Sequence, residues 1–186
     1  MDGMLSDLAN SAKNAVKSVV SGAGDVVGTT AGAVASSVSA ALQGAGDVAG
    51  KTVEVSTDVV RGAVMGLSEA GVDTLKGVQG VVSGAVKGIS QAGGDVMGGT
   101  HDVVATAVSS ASHTGVDVAQ ASAMAVTGAV DAAKEVGGDV GGVTKQAIIG
   151  ALDGAGEISQ EAVTSVKEVL VTSVDGAKDV IDEIGR

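Results

Sequence analysis

The 186-residue chain contains no proline, no cysteine and no aromatic residue. Without aromatics it lacks the stacking platforms on which single-stranded nucleic acids bind. Without cysteine it lacks disulfides, thiolate nucleophiles and zinc–thiolate sites. Basic residues are also scarce, because 11 Lys and Arg stand against 22 Asp and Glu and give a net charge of −11. Phosphates repel such a chain, so we expect no nucleic-acid partner.

Long hydrophobic runs are absent as well. No stretch of about 18 apolar residues occurs, so the sequence predicts no transmembrane helix. The N-terminal residues lack the basic region of a signal peptide, and we expect a cytoplasmic protein, free or peripheral on a lipid surface. The two histidines, His101 and His113, are too few for a zinc site. With no recognisable nucleophile–base constellation, we expect no metal, no cofactor and no enzymatic activity.

What the chain does contain is a repeat. A glycine followed by an acidic residue recurs about every 22 residues, as at Gly46–Asp47 and Gly138–Asp139. Cutting before this pair leaves an amphipathic leader helix (1–21), a half-repeat (176–186) and seven units between them: 22–43, 44–68, 69–90, 91–112, 113–134, 135–153 and 154–175. The repeat fills nearly the whole chain and leaves no room for a separate catalytic domain.

The apolar residues of these units follow one another at helical spacing. Steps of three, four and seven place them on one face of an α-helix, so the sequence predicts an all-α repeat protein. Strict alternation is rare, and a β-solenoid with 22-residue coils remains an alternative. We call the lipid- or partner-facing set the apolar stripe: Val27, Val34, Val38, Leu42, Val82, Val86, Ile89, Val104, Val108, Val126, Val130, Ile149, Leu152, Val166, Leu170, Val174 and Ile181.

Two all-α arrangements fit the period. In the first, each glycine ends a helix and the following Asp caps the next one, which gives a row of short antiparallel helices. In the second, the chain is one long helix lying on a surface. Adjacent glycines such as Gly93–Gly94 favour breaks, so we expect hairpins in solution that can open on a surface.

Glycines also recur at four-residue spacing within units. Small residues at this spacing let helix backbones approach closely. The sequence therefore predicts close helix packing at Gly80, Gly84 and Gly88, and again at Gly138 and Gly142.

Residues 45–52, Ala-Gly-Asp-Val-Ala-Gly-Lys-Thr, resemble a Walker A phosphate loop with Ala in the first place. A phosphate loop follows a buried strand, whereas the residues before this one have helical spacing. Asp47 would also place a carboxylate inside the anion cradle. The other repeats lack Gly-Lys-Thr, so we interpret the match as a coincidence of the repeat.

Stretches such as 81–89 and 125–130 are similar in composition and periodicity to synuclein and perilipin repeats. Residues 22–175 as a whole resemble the exchangeable apolipoprotein, synuclein and perilipin group in period and in their Val, Ala, Gly, Thr and Ser content. The resemblance implies reversible coating of lipid droplets or vesicles by helices. The chain departs from that group in lacking the synuclein Lys-Thr-Lys-Glu-Gly-Val core, turn prolines and regular flanking lysines. A neutral lipid surface therefore suits it better than an anionic bilayer.

We accordingly expect a non-enzymatic amphipathic repeat protein, and we place coating of a lipid-like surface ahead of self-assembly. In the self-assembly hypothesis the apolar stripe contacts other copies in a bundle, coiled-coil oligomer or filament. A weaker alternative is a surfactant helix active at interfaces or on ice. Under the first two hypotheses, Val86→Asp combined with Val130→Asp should abolish lipid uptake or assembly.

Overall fold

The computed structural model describes residues 2–21, 24–44 and 51–185. Within these ranges the chain forms nine α-helices and no strand, which confirms the all-α repeat prediction and gives no support to a β-solenoid. The helices are α1 (Asp2–Val20), α2 (Val26–Gly44), α3 (Lys51–Ala70), α4 (Thr74–Gln91), α5 (Val96–Ser112), α6 (Val118–Val136), α7 (Val140–Gly156), α8 (Gln160–Ser173) and α9 (Ala177–Ile184). No helix of the described ranges is both long and apolar enough to cross a membrane.

Within the described ranges, glycine–acid pairs form the turns that precede α4, α5, α6 and α7. The pair Gly46–Asp47 lies outside those ranges. Gly137 has a φ of 71°, a left-handed conformation that residues with a Cβ atom disfavour. Asp139 then accepts a hydrogen bond from the amide of Gly142 at 3.0 Å and so caps α7. The predicted breaks are therefore present, and the same pairing of left-handed Gly and N-cap Asp recurs at Gly71–Asp73, Gly93–Asp95 and Gly115–Asp117.

The helices are arranged in two layers rather than in a single row of antiparallel neighbours. The odd-numbered helices pack side by side in one layer and the even-numbered helices in the other, so that each helix runs parallel to the one two positions earlier. Consecutive helices contact each other across the layers. Val and Ala side chains fill the space between, together with a few larger ones such as Leu67, Ile89 and Ile148.

Glycines explain why helices two positions apart are such close neighbours. A Cβ atom at Gly84 would lie less than 3.0 Å from the carbonyl oxygen of Ala31, so α4 rests directly on the backbone of α2. Gly80 and Gly88 meet the α2 backbone in the same way. The equivalent contacts of other helices are Gly62 on Ala9, Gly128 on Gln79, and Gly150 on His101.

Gly138 and Gly142 differ from the prediction. Gly138 lies in the turn before α7, and Gly142 lies in the first turn of α7 beside its cap, Asp139. A Cβ at Gly142 would meet the Asp139 carboxylate and the Met97 side chain rather than another helix backbone. The four-residue spacing of this pair crosses a helix start, so it does not place both residues on one helix face.

Candidate functional site

Most of the apolar stripe lies inside the molecule. Eleven of its members are buried: Val34, Val38, Val82, Val86, Ile89, Val104, Val108, Val126, Leu152, Val166 and Leu170. The remaining members are half-buried: Val27, Leu42, Val130, Ile149, Val174 and Ile181. In the folded chain the stripe therefore contacts other helices of the same chain.

Large apolar side chains that reach the surface are few among the described residues. Two of them, Met65 on α3 and Ile158 after α7, are 46% and 38% exposed and line one groove. This groove has a volume of about 680 Å³ and crosses the carboxyl ends of three odd-numbered helices. We call it the C-terminal groove; its lining residues are Arg61, Met65, Ser68, Glu69, Ser109, Ser110, Ser112, His113, Thr114, Glu157 and Ile158.

The glycine pattern is interrupted in α5, one of the three helices that border the groove. Gly128 in α6 and Gly150 in α7 each lie eleven positions after the N-cap Asp, at the point of closest approach to an earlier helix. Thr106 occupies that position in α5, after the N-cap Asp95. A threonine side chain does not allow the close backbone contact that glycine permits, and α5 packs on α3 less extensively than α7 packs on α5.

Most charged groups of the groove are paired with neighbours. Glu69 accepts a hydrogen bond from Lys13 at 2.9 Å, and this bond lowers the pKa of the Glu69 carboxyl. Arg61 lies 3.4 Å from Asp58, whose pKa is raised because burial outweighs the charge of Arg61. The helix ends add partial negative charge to this rim of the groove.

Two hydroxyl groups of the groove donate to backbone carbonyls of α5. Ser112 donates to the carbonyl of Ser109 at 2.6 Å, and Thr114 donates to that of Ala111 at 2.7 Å. The Ser112 hydroxyl also lies 3.3 Å from Nδ1 of His113, and this nitrogen lies 3.0 Å from the same Ser109 carbonyl. Because a carbonyl oxygen only accepts, Nδ1 donates its proton there and is not a base for Ser112. The groove therefore offers polar and apolar contacts to a bound molecule and does not activate this serine as a nucleophile.

A second polar cluster joins α5 to α7. Nδ1 of His101 lies 2.9 Å from Asp102, and Nε2 lies 2.8 Å from Asp153. Partial burial by itself lowers the pKa of His101, but the hydrogen bonds and charges of the two aspartates together outweigh it and leave the pKa raised. We call this cluster the His101 bridge.

The described residues contain no group of three His, Cys, Asp or Glu side chains that could hold a metal ion. The phosphate-loop resemblance falls on residues 45–50, which lie outside the described ranges, and on Lys51 and Thr52, the first two residues of α3.

The sequence matches no family model and no curated protein. Its structure is similar to the crystal structure of the de novo designed helical repeat protein DHR7, with a TM-score of 0.53 over 96% of this chain and 95% of that chain. The two sequences are 16% identical, so the similarity extends to the fold alone. Fold and comparison together define a helical repeat protein.

Proposed function

We propose that the protein is a non-enzymatic helical-repeat scaffold whose apolar stripe serves its own packing. The observation that carries the proposal is the burial of the stripe: Val86 and Val126, for example, are fully enclosed between the layers. A stripe that contacts other helices of the same chain has no free face for a second surface. The C-terminal groove is then one place where the scaffold offers exposed apolar side chains to a partner.

Ion pairs on the outside of the scaffold link the same parallel neighbours that the glycines bring together. Lys13 pairs with Glu69 between α1 and α3 at 2.9 Å, and Lys87 pairs with Glu135 between α4 and α6 at 2.7 Å. Each surface pair contributes little by itself. Their agreement with the glycine contacts supports one fixed arrangement of the helices.

Coating of a lipid surface and assembly with other copies remain the competing proposals, and both use the same stripe. Lipid coating requires the two layers to separate, so that residues such as Val86 leave the interior and meet lipid. The lipid must then replace the apolar burial that the layers now provide, at about 25 cal/mol per Å². Assembly instead requires a contact between copies to contribute to helix stability.

Far-UV circular dichroism at several protein concentrations, with and without a neutral lipid emulsion, separates the three proposals. The scaffold proposal expects full helicity without lipid and a melting temperature that neither dilution nor emulsion changes. Helix that forms only with lipid would overturn it in favour of coating. A melting temperature that falls on dilution would overturn it in favour of assembly.

A matched pair of glycine-to-alanine variants tests the lipid-coating proposal further. Gly84→Ala forces α4 away from α2, because the added Cβ would collide with the α2 backbone. The Cβ that Gly32→Ala adds on α2 has no such obstacle within 4 Å. If coating follows opening of the layers, Gly84→Ala should increase lipid binding, because it destabilises the packed state. Gly32→Ala should leave lipid binding nearly unchanged, because α2 is helical both in the packed layers and on lipid. The scaffold proposal expects no lipid binding by either variant.

A further inference from the structure

The His101 bridge lies where α5 and α7 are closest. Gly150 of α7 rests on the backbone carbonyl of His101, and the His101 ring reaches the Asp153 carboxylate at 2.8 Å. Asp102, the next residue of α5, holds the other ring nitrogen at 2.9 Å. The ring thus joins two helices and is bonded at both nitrogens.

Both partners of the ring can only accept hydrogen bonds when they are ionised. An ionised carboxylate has no proton to donate, and a neutral imidazole has a proton on one nitrogen only. The bridge is therefore complete only when His101 carries a proton on both nitrogens. Loss of one proton leaves a nitrogen lone pair facing a carboxylate oxygen, which is repulsive.

The bridge is directly connected to one wall of the C-terminal groove. The backbone carbonyl of Asp153 accepts a hydrogen bond from the amide of Glu157 at 3.1 Å, in the turn that ends α7. Glu157 and Ile158 line the groove opposite α3. The side chain of Asp153 thus holds the last turn of α7 to α5, while its backbone holds the residues that form the wall.

We propose that the His101 bridge is a pH-sensitive clamp that fixes the last turn of α7, and with it one wall of the C-terminal groove, against α5. The charged groups that bear on the ring are Asp102 from its own helix and Asp153 from α7. The other helices packed against α5, namely α3, α4 and α6, direct no charged side chain of the described residues at it. The clamp requires only the folded α5–α7 pair, so it stands independently of the scaffold proposal.

The direction of the effect follows from the raised pKa of His101. A group whose pKa is higher in the clamped state stabilises that state fully at pH values below its ordinary pKa of about 6.5. The stabilisation is lost as the pH rises through the raised value. The wall should therefore be held tightly at mildly acidic pH and loosen as the pH rises past the titration of His101.

Two measurements on the full chain test the clamp. NMR titration of the two imidazoles should give His101 a higher pKa than the ordinary value of about 6.5. Hydrogen exchange of the amides in 150–158, corrected for the intrinsic effect of pH on exchange, should show protection falling as His101 loses its proton. For each unit by which the pKa of the clamped state exceeds that of the open state, the protection should differ about tenfold.

Three variants decide the outcome. His101→Gln should remove the pH step in protection, and Asp153→Asn should lower the His101 pKa and reduce the step. His113→Gln, which changes the other histidine and leaves the bridge intact, should retain the full step. An unchanged step in both His101→Gln and Asp153→Asn, or a His101 ring that titrates at its ordinary value, would overturn the proposal.

Discussion

The same glycine-to-alanine substitution should have opposite effects on the parallel helices α2 and α4. At Gly84 on α4, a Cβ would lie less than 3.0 Å from the carbonyl oxygen of Ala31 and 2.9 Å from Cβ of Val34. At Gly32 on α2, an added Cβ would meet no side chain and no other helix within 4 Å. Both glycines are in helix interiors, so the gain in intrinsic helix propensity is the same for both.

The expected magnitudes follow from two opposing contributions. Alanine is favoured over glycine in a helix interior by about 1 kcal/mol, and Gly32→Ala should stabilise the protein by up to that amount. Gly84→Ala gains the same amount but overpacks a backbone contact, which typically costs about 1–3 kcal/mol. Because the obstacle is a helix backbone and not a flexible side chain, we expect the upper part of that range and a net loss of about 1–2 kcal/mol.

Urea denaturation and thermal denaturation at low protein concentration measure both effects. The two midpoints should move in opposite directions, and the melting temperatures should differ by roughly 5–10 °C for a chain of this size. Hydrogen exchange can then localise the loss in Gly84→Ala to the amides of α2 and α4. Equal stabilisation by the two substitutions would show that α4 does not rest on the α2 backbone, and the layered packing would be wrong.

Four further substitutions probe other parts of the fold. The buried hydroxyl of Thr30 has no hydrogen-bond partner within the described ranges, so Thr30→Val should raise the free energy of unfolding by about 1 kcal/mol in urea titrations; a loss of stability would contradict an unpaired hydroxyl. Asp117→Ala removes the bond to the Gln120 amide and should cost about 1 kcal/mol by the same assay, with exchange rising first at the start of α6. Val86→Asp places a carboxylate in the interior and should lower the free energy of unfolding by more than about 3 kcal/mol, whereas Val130→Asp, at a half-buried position, should cost clearly less. Similar losses for both valines would contradict the placement of the stripe.

The helices and their turns could be predicted because their signals are local. Gly115 and Asp117 define one turn through backbone conformation and a cap bond within three residues. Local signals also have a limit at the C-terminal end. The apolar spacing continues without interruption from Val174 to Ile181, yet the helix breaks at Gly176, which has a φ of 79°. One left-handed residue ends a helix whatever the spacing around it.

The two layers could not be predicted in the same way, because they depend on pairing between distant segments. Spacing alone identifies Gly80, Gly84 and Gly88 as a packing face but does not say which helix covers it. The C-terminal groove is lined by residues in or next to three helices that are far apart in sequence. The departure from glycine at Thr106 becomes visible only when the helices are compared from their caps. The His101 bridge joins residues 52 positions apart that no local pattern relates.

A helix that lies on a lipid surface and a helix that packs in a solenoid both need one apolar face, so the stripe alone does not distinguish them. The glycines provide a second criterion. Each glycine in a helix interior costs up to about 1 kcal/mol relative to alanine, and a helix on a lipid surface regains nothing at positions that face water. Gly84 and Gly150 lie away from water, against the backbones of α2 and α5. There the missing side chain permits close contact between helices. A repeat that carries both a stripe and a glycine face contacts the opposite layer through the stripe and its neighbour in the same layer through the glycines, which favours internal packing as the role of these residues.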